Sequence, residues 1–147
     1  MRTIWAATLS LALAGAAQAA EVKAGSLALS NLEIRSAPKG VPTTAAYLTI
    51  ANTGKAADKL LSVDCACAAA AMMHESQNRG GVASMAMLTA VDVPAGDKVT
   101  FAPTGLHIML VGLKAPLKQG GVQMMTLTFQ KAGPVKAAFA VHDVIGK

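Results

Sequence analysis

A chain of 147 residues, 53% of them hydrophobic, is long enough to bury one real core and suits a single domain. Its 13 Lys and Arg outnumber its 8 Asp and Glu, for a net charge of +5, yet they are scattered along the chain and only 3% of residues are aromatic. That combination excludes a nucleic-acid reader, which concentrates charge and stacks rings on bases; the positive balance reads as solubility with mild attraction to acidic surfaces.

The chain opens Met1-Arg2-Thr3 and then runs mainly apolar over residues 4–17. One early positive charge followed by a short apolar run is the layout of a secretory signal peptide, and Ala17-Gln18-Ala19 supplies the small-x-small pattern for cleavage after Ala19. The run is shorter than the roughly 20 apolar residues a membrane helix needs. Residues 1–19 are thus expected to be a signal peptide and residues 20–147 one exported domain, with no stable membrane insertion after cleavage.

The mature part reads as short strands punctuated by turn residues. Residues 46–51 form a strand closed by Asn52-Thr53-Gly54, and residues 59–64 a second. Residues 85–93 read as one strand ended by Pro94-Ala95-Gly96-Asp97; residues 98–101 follow, ended by Pro103-Thr104-Gly105. Residues 106–111, 122–130 and 134–144 complete the set. Within 122–130, Met125, Leu127 and Phe129 share one face and Thr126, Thr128 and Gln130 the other. Residues 66–73 are ambiguous, since Ala and Met favour helix. Short strands at regular spacing predict an all-β sandwich or small barrel. The Gly-rich phosphate loop, the nucleophile elbow and the HExxH metal helix are all missing, so the chain does not read as an enzyme.

Three histidines are present, His74, His107 and His142, and most of the methionines cluster near the first two: Met72, Met73, Met85, Met87 and Met109. In a strand, residues two apart share a face, so His107 and Met109 would project side by side while Ile108 points into the core. For an isolated His-x-Met, the commoner arrangement is a hydrogen-bonded core histidine beside a gap-filling methionine. The neighbouring methionines shift the balance. Thioether sulfur is a soft donor that suits Cu(I) and serves Zn(II), Mg(II) or Ca(II) poorly. In an oxidising compartment it also avoids the disulfide formation to which thiolate ligands are prone.

The spacing His74, ten residues, Met85, twenty-one residues, His107, one residue, Met109 resembles that of the PCuAC family of periplasmic copper chaperones. Its flanks are similar too: Val91-Asp92-Val93-Pro94-Ala95-Gly96, then Pro103-Thr104-Gly105-Leu106-His107-Ile108-Met109-Leu110, then Gly112-Leu113-Lys114-Ala115-Pro116-Leu117. The resemblance covers nearly the whole mature chain. It implies a cupredoxin-like Greek-key β-barrel or sandwich that binds Cu(I) through His74, Met85, His107 and Met109. It also implies delivery of copper for respiratory oxidase assembly, to a copper-receiving oxidase subunit or a Sco-type assembly protein. Two positions depart from the pattern: Leu32-Glu33-Ile34-Arg35 stands where a Trp is usual, and Thr104 replaces a glycine.

Met87 and Met72 share parity with Met85 and His74 and compete as ligands, though core or rim packing is the simpler reading. Cys65-Ala66-Cys67 lies outside the family pattern and reads as a thiolate pair for Cu(I), a disulfide, or two small buried residues. In an extended strand its Cα separation would sit near the upper limit for bridging. His142 reads as structural. Two other functions are compatible with the residues: a periplasmic copper-buffering or resistance protein, and a thiol-disulfide reductant using Cys65 and Cys67. A blue-copper electron carrier is disfavoured, because that site needs a cysteine ligand and the cysteines here stand outside the motif.

Overall fold

The computed structural model describes residues 20–143. The signal peptide expected at residues 1–19 lies outside the described residues. Among the described residues there is no helix. Eleven strands form one continuous sheet: β1 (Val22–Ala24), β2 (Leu27–Arg35), β3 (Thr43–Asn52), β4 (Asp58–Cys65), β5 (Ala68–Arg79), β6 (Val82–Leu88), β7 (Val91–Val93), β8 (Lys98–Thr100), β9 (Leu106–Leu113), β10 (Val122–Phe129) and β11 (Gly133–His142). The main path runs β6-β5-β9-β3-β2-β11-β10-β4-β7, with β1 beside β2 and β8 beside β3. Its pairings are antiparallel except between β11 and β2. The sheet is open, with β6 at one end and β7 at the other, and it wraps around a core that includes Leu29, Leu48, Leu60, Ile108, Leu127 and Phe139. This is the all-β class expected from the strand spacing, in the cupredoxin-like form that the family resemblance implies.

Alternation drives most of the strands. Met125, Leu127 and Phe129 of β10 are buried while Thr126 and Thr128 are not, as their spacing predicts. β2 breaks the rule once. Leu27 and Leu29 face inward, and then Leu32 and Ile34 do, in the opposite phase. A bulge against β3 absorbs the extra residue, with Asn31 at φ 52°, a left-handed conformation that Asn adopts more readily than most residues.

Two sequence expectations are corrected. Residues 85–93 are not one strand. β6 ends at Leu88 and β7 starts at Val91, and the two lie at opposite ends of the sheet, β6 on β5 and β7 on β4. The crossing at Thr89-Ala90 carries neither Gly nor Pro, so periodicity alone does not mark it. The ambiguous Ala-rich stretch is extended from Ala68 and continues as the twelve-residue β5. Pairing with β9 on one side and β6 on the other overrides its helical propensity.

At the end of the molecule that holds β7, two buried polar side chains tie loops to the sheet. The Nδ2 of Asn52 donates to the carbonyls of Ala56 (2.9 Å) and Val93 (3.2 Å), and its Oδ1 accepts from the Gly54 N–H (3.0 Å). The carboxylate of Asp58, 6% exposed, accepts from the backbone N–H groups of Lys59 (2.8 Å), Lys131 (2.8 Å) and Ala132 (3.1 Å). Burial pushes this carboxyl up, but those three N–H groups and the charge of Lys131 outweigh it and hold it below its ordinary 3.8. A carboxylate whose folded value is depressed contributes stability above its unfolded value, and that contribution is lost as pH falls through the folded one. Asp58→Asn is therefore expected to cost about 2 kcal/mol at neutral pH. In urea titrations the gap from wild type should narrow only below about pH 4. A gap unchanged well into acid would show that the charge contributes nothing.

Candidate metal centre

Three strands at the other end of the sheet, β9, β5 and β6, lie side by side. One of their faces carries Met73, Ile108 and Leu110 into the core. The opposite face carries the soft side chains in cross-strand rows. His107 stands directly opposite His74, and His74 directly opposite Met87. Met109 faces Met72 in the row on one side; Ser76 faces Met85 in the row on the other. The two imidazoles meet edge to face, with centroids 5.8 Å apart and planes at 84°.

Local sequence fixes these rows. Arg79 and Val82 pair across a two-residue loop, Gly80-Gly81, with φ of 60° and 81°. Successive positive φ angles are what a type I′ hairpin needs, and glycine supplies them without strain. That turn sets the β5–β6 register, and so which methionine faces His74. At the other end of β5, Gly112 has φ 71°, and a Cβ there would sit 2.8 Å from the Cβ of Ala69. Only glycine lets β9 approach β5 this closely while keeping its register.

His107 is 5% exposed, and its Nδ1 lies 2.9 Å from the carbonyl oxygen of Gly105. Because the carbonyl can only accept, Nδ1 donates, and in the neutral ring Nε2 then carries the lone pair. The same carbonyl accepts the N–H of Ser76 (3.2 Å), which ties the loop before β9 to β5. The Nε2 of His107 is buried with no hydrogen-bond partner, and so is the Nδ1 of His74. Among the described residues these are the buried side-chain polar atoms left without a partner. Buried polar atoms are seldom left so, and each orphan requires an explanation. A bound ion supplies one. Among the described residues no three His, Cys, Asp or Glu side chains converge as a metal site, so any ion held here depends on methionine sulfur. Two imidazoles with thioethers and no carboxylate form a donor set for a soft monovalent ion.

The structure therefore brings His74, His107 and Met109 together and sets Met85 one row toward the hairpin tip. Met85 and Met87 are both 65% exposed, which removes core packing as an account of Met87. Its place opposite His74 follows from the β5–β6 hairpin, whose sequence signal is Gly80-Gly81. His142, on β11, is three strands away from β9 along the sheet and stays outside the group. Cys65 and Cys67 form a disulfide with Cα atoms 5.1 Å apart. The extended geometry considered for them does not occur, because β4 ends at Cys65 and the chain turns at Ala66-Cys67.

Fold and site together define a cupredoxin-like domain with a histidine–methionine face. The chain matches the LpqE-like family, described as lipoproteins, over residues 27–141, and it belongs to that family. A protein of Leifsonia xyli subsp. xyli named as a lipoprotein, Lxx21020, is 31% identical over 135 residues, which span 91% of this chain and 80% of that one. Such names are those of exported envelope proteins. Among solved structures, the copper-bound PCuAC domain from PmoF2 superposes with a TM-score of 0.73 at 26% identity, covering 85% of this chain and 99% of that domain. The Cu(I) form of DR1885 from Deinococcus radiodurans matches with a TM-score of 0.64 at 31% identity, covering 78% of this chain and 76% of that one. The resemblance to the PCuAC family is thereby confirmed, and both of these solved structures hold copper.

The His107 tautomer can be checked directly. Long-range ¹H–¹⁵N spectra of the metal-free protein are expected to show a protonated Nδ1 and an unprotonated Nε2 for His107. A ring protonated on Nε2 alone would contradict the Gly105 contact.

Proposed function

We propose that this protein is a periplasmic copper carrier that holds Cu(I) through His74, Met85, His107 and Met109 and passes it on for the assembly of a respiratory oxidase copper centre. The observation that carries this reading is the pair of buried, unpartnered imidazole nitrogens on directly opposed strand positions, flanked by thioethers. The copper-bound state of the related PmoF2 domain and the Cu(I) state of DR1885 support it. Neutral nitrogen and sulfur donors leave the charge of the ion uncompensated. Such a site can hold Cu(I) firmly yet yield it to a partner offering thiolates, by exchange of one ligand at a time. The recipient is then an oxidase subunit or a Sco-type assembly protein. The bridge between Cys65 and Cys67 leaves neither sulfur as a thiolate to compete for the ion. Export through a cleaved segment over residues 1–19 places the carrier in the compartment where oxidase copper centres are completed.

Anaerobic titration with Cu(I) against a competing chelator tests the ligands. His74→Ala and His107→Ala are expected to weaken binding by about tenfold or more, since even changes outside the first ligand shell of a metal site cost that much. Met109→Leu should weaken it in the same direction, and the Cys65→Ser/Cys67→Ser double variant should retain wild-type affinity. Loss in the double serine variant with full retention in the histidine variants would move the site to the cysteines and overturn the proposal. For delivery, a deletion strain should lose oxidase activity and regain it on copper supplementation; unchanged oxidase activity would favour copper buffering instead.

A further inference from the structure

We infer that Met87 is a copper ligand, and that Met85 and Met87 share one ligand position as an exchange pair on β6. This rests on the Cu(I) reading above and adds a residue that the four-ligand spacing does not contain. The argument begins with register. The Gly80-Gly81 turn places Met87 directly opposite His74, and Met85 opposite Ser76, two residues nearer the turn. Directly opposed residues in an antiparallel pair have Cβ atoms about 4.5–5.5 Å apart, and diagonal neighbours about 7–8 Å. Met87 thus extends the row already formed by His107 and His74, whereas Met85 reaches that row along a diagonal. Met109 lies diagonal to His74 on the other side, beside Met72. The Met109 and Met85 rows are four residue steps apart along β5, from Met72 to Ser76, a rise of about 13 Å at strand spacing. An ion held by both imidazoles and Met109 is therefore closer to the Met87 row than to the Met85 row.

Exposure gives the second part. Met87 and Met85 are equally exposed, at 65% each, and both lie on β6, which ends the sheet. A flexible apolar side chain kept in solvent at two alternating positions of one strand does not serve the core. It does present two thioethers on one face, two residues apart. The inferred step is an exchange of ligands without redox change: the Cu–S bond to Met87 breaks as the Cu–S bond to Met85 forms, and the ion stays Cu(I) throughout. This carries the ion from the imidazole row toward the hairpin tip, where an incoming partner sulfur meets less protein.

The test uses Met85→Leu, Met87→Leu and the double variant in the mature protein, with leucine preserving bulk at exposed positions. Cu(I) affinity is read by chelator competition, sulfur ligand number by X-ray absorption, and release by the rate of transfer to a small dithiol chelator. Met85→Leu alone is expected to lower affinity by less than the double variant does, because Met87 still offers a sulfur, and its transfer slows. The double variant is expected to lose one sulfur and about tenfold or more in affinity, on the scale cited above for metal sites. If the double variant matches Met85→Leu in affinity, sulfur count and transfer, Met87 is not a ligand and the inference fails. If His74→Ala and His107→Ala also leave Cu(I) binding intact, the failure lies in the copper reading itself. Loss in the histidine variants without the extra loss at Met87 confines it to this inference.

Discussion

The register of β5 is the constraint on which the candidate centre depends. β5 is held on both sides, by β9 through the pairs from Ala68–Leu113 to Glu75–Leu106 and by β6 through the pairs from Met73–Leu88 to Arg79–Val82. A slip of one residue on either side would turn a histidine or a methionine into the core and bring a core residue out. Two features oppose such slips. The Gly80-Gly81 turn fixes β6 against β5, and the close approach of Gly112 to Ala69 fixes β9. Burial of Met73 and Ile108 on the reverse face adds the energetic reason, since a slipped register would expose them. The side chains of the candidate centre are thus positioned by residues outside it.

That arrangement explains how a small, aromatic-poor domain can keep two imidazole nitrogens buried without partners. An unsatisfied buried polar atom costs about 1–3 kcal/mol. The cost is tolerable because the rings lie on strands tied down elsewhere, and because Gly105 satisfies one nitrogen of His107 and fixes which nitrogen stays open. A site already aimed at its ligand loses little freedom on binding. The opposite end of the sheet works differently. There Asn52 and Asp58 have their hydrogen bonds satisfied by loop backbone, and the structure closes on itself. Polar burial with every bond made stabilises the fold, whereas polar burial with bonds left open sets the candidate centre apart from it.

Much of this was legible in the sequence, and the exceptions have physical causes. The all-β class, the inward phase of β10 and the His107–Met109 face follow from period-two alternation, because residues two apart on a strand share a face. The break between β6 and β7 was not legible. Neither Gly nor Pro interrupts Leu88-Thr89-Ala90-Val91, and only the three-dimensional path shows that the chain leaves one end of the sheet for the other. β5 was obscured for a different reason: its Ala and Met residues carry a helical preference that pairing on both edges defeats. The bridging of Cys65 and Cys67 depended on whether the chain turned between them, and a strand end of that kind has no signature in one alanine.

The position of Met87 opposite His74 shows where spacing stops being informative. A spaced motif specifies positions along the chain, while coordination depends on positions across it. Once β5 and β6 pair through a two-residue turn, residues whose numbers sum to the same value face one another, and His74 is matched to Met87 as Arg79 is to Val82. Met85 satisfies the linear pattern and Met87 satisfies the lateral one. Equal exposure at the two positions means that packing does not choose between them. β6 ends the sheet and carries no charged side chain, so what distinguishes the two methionines is their place relative to the imidazoles, lateral for Met87 and diagonal for Met85.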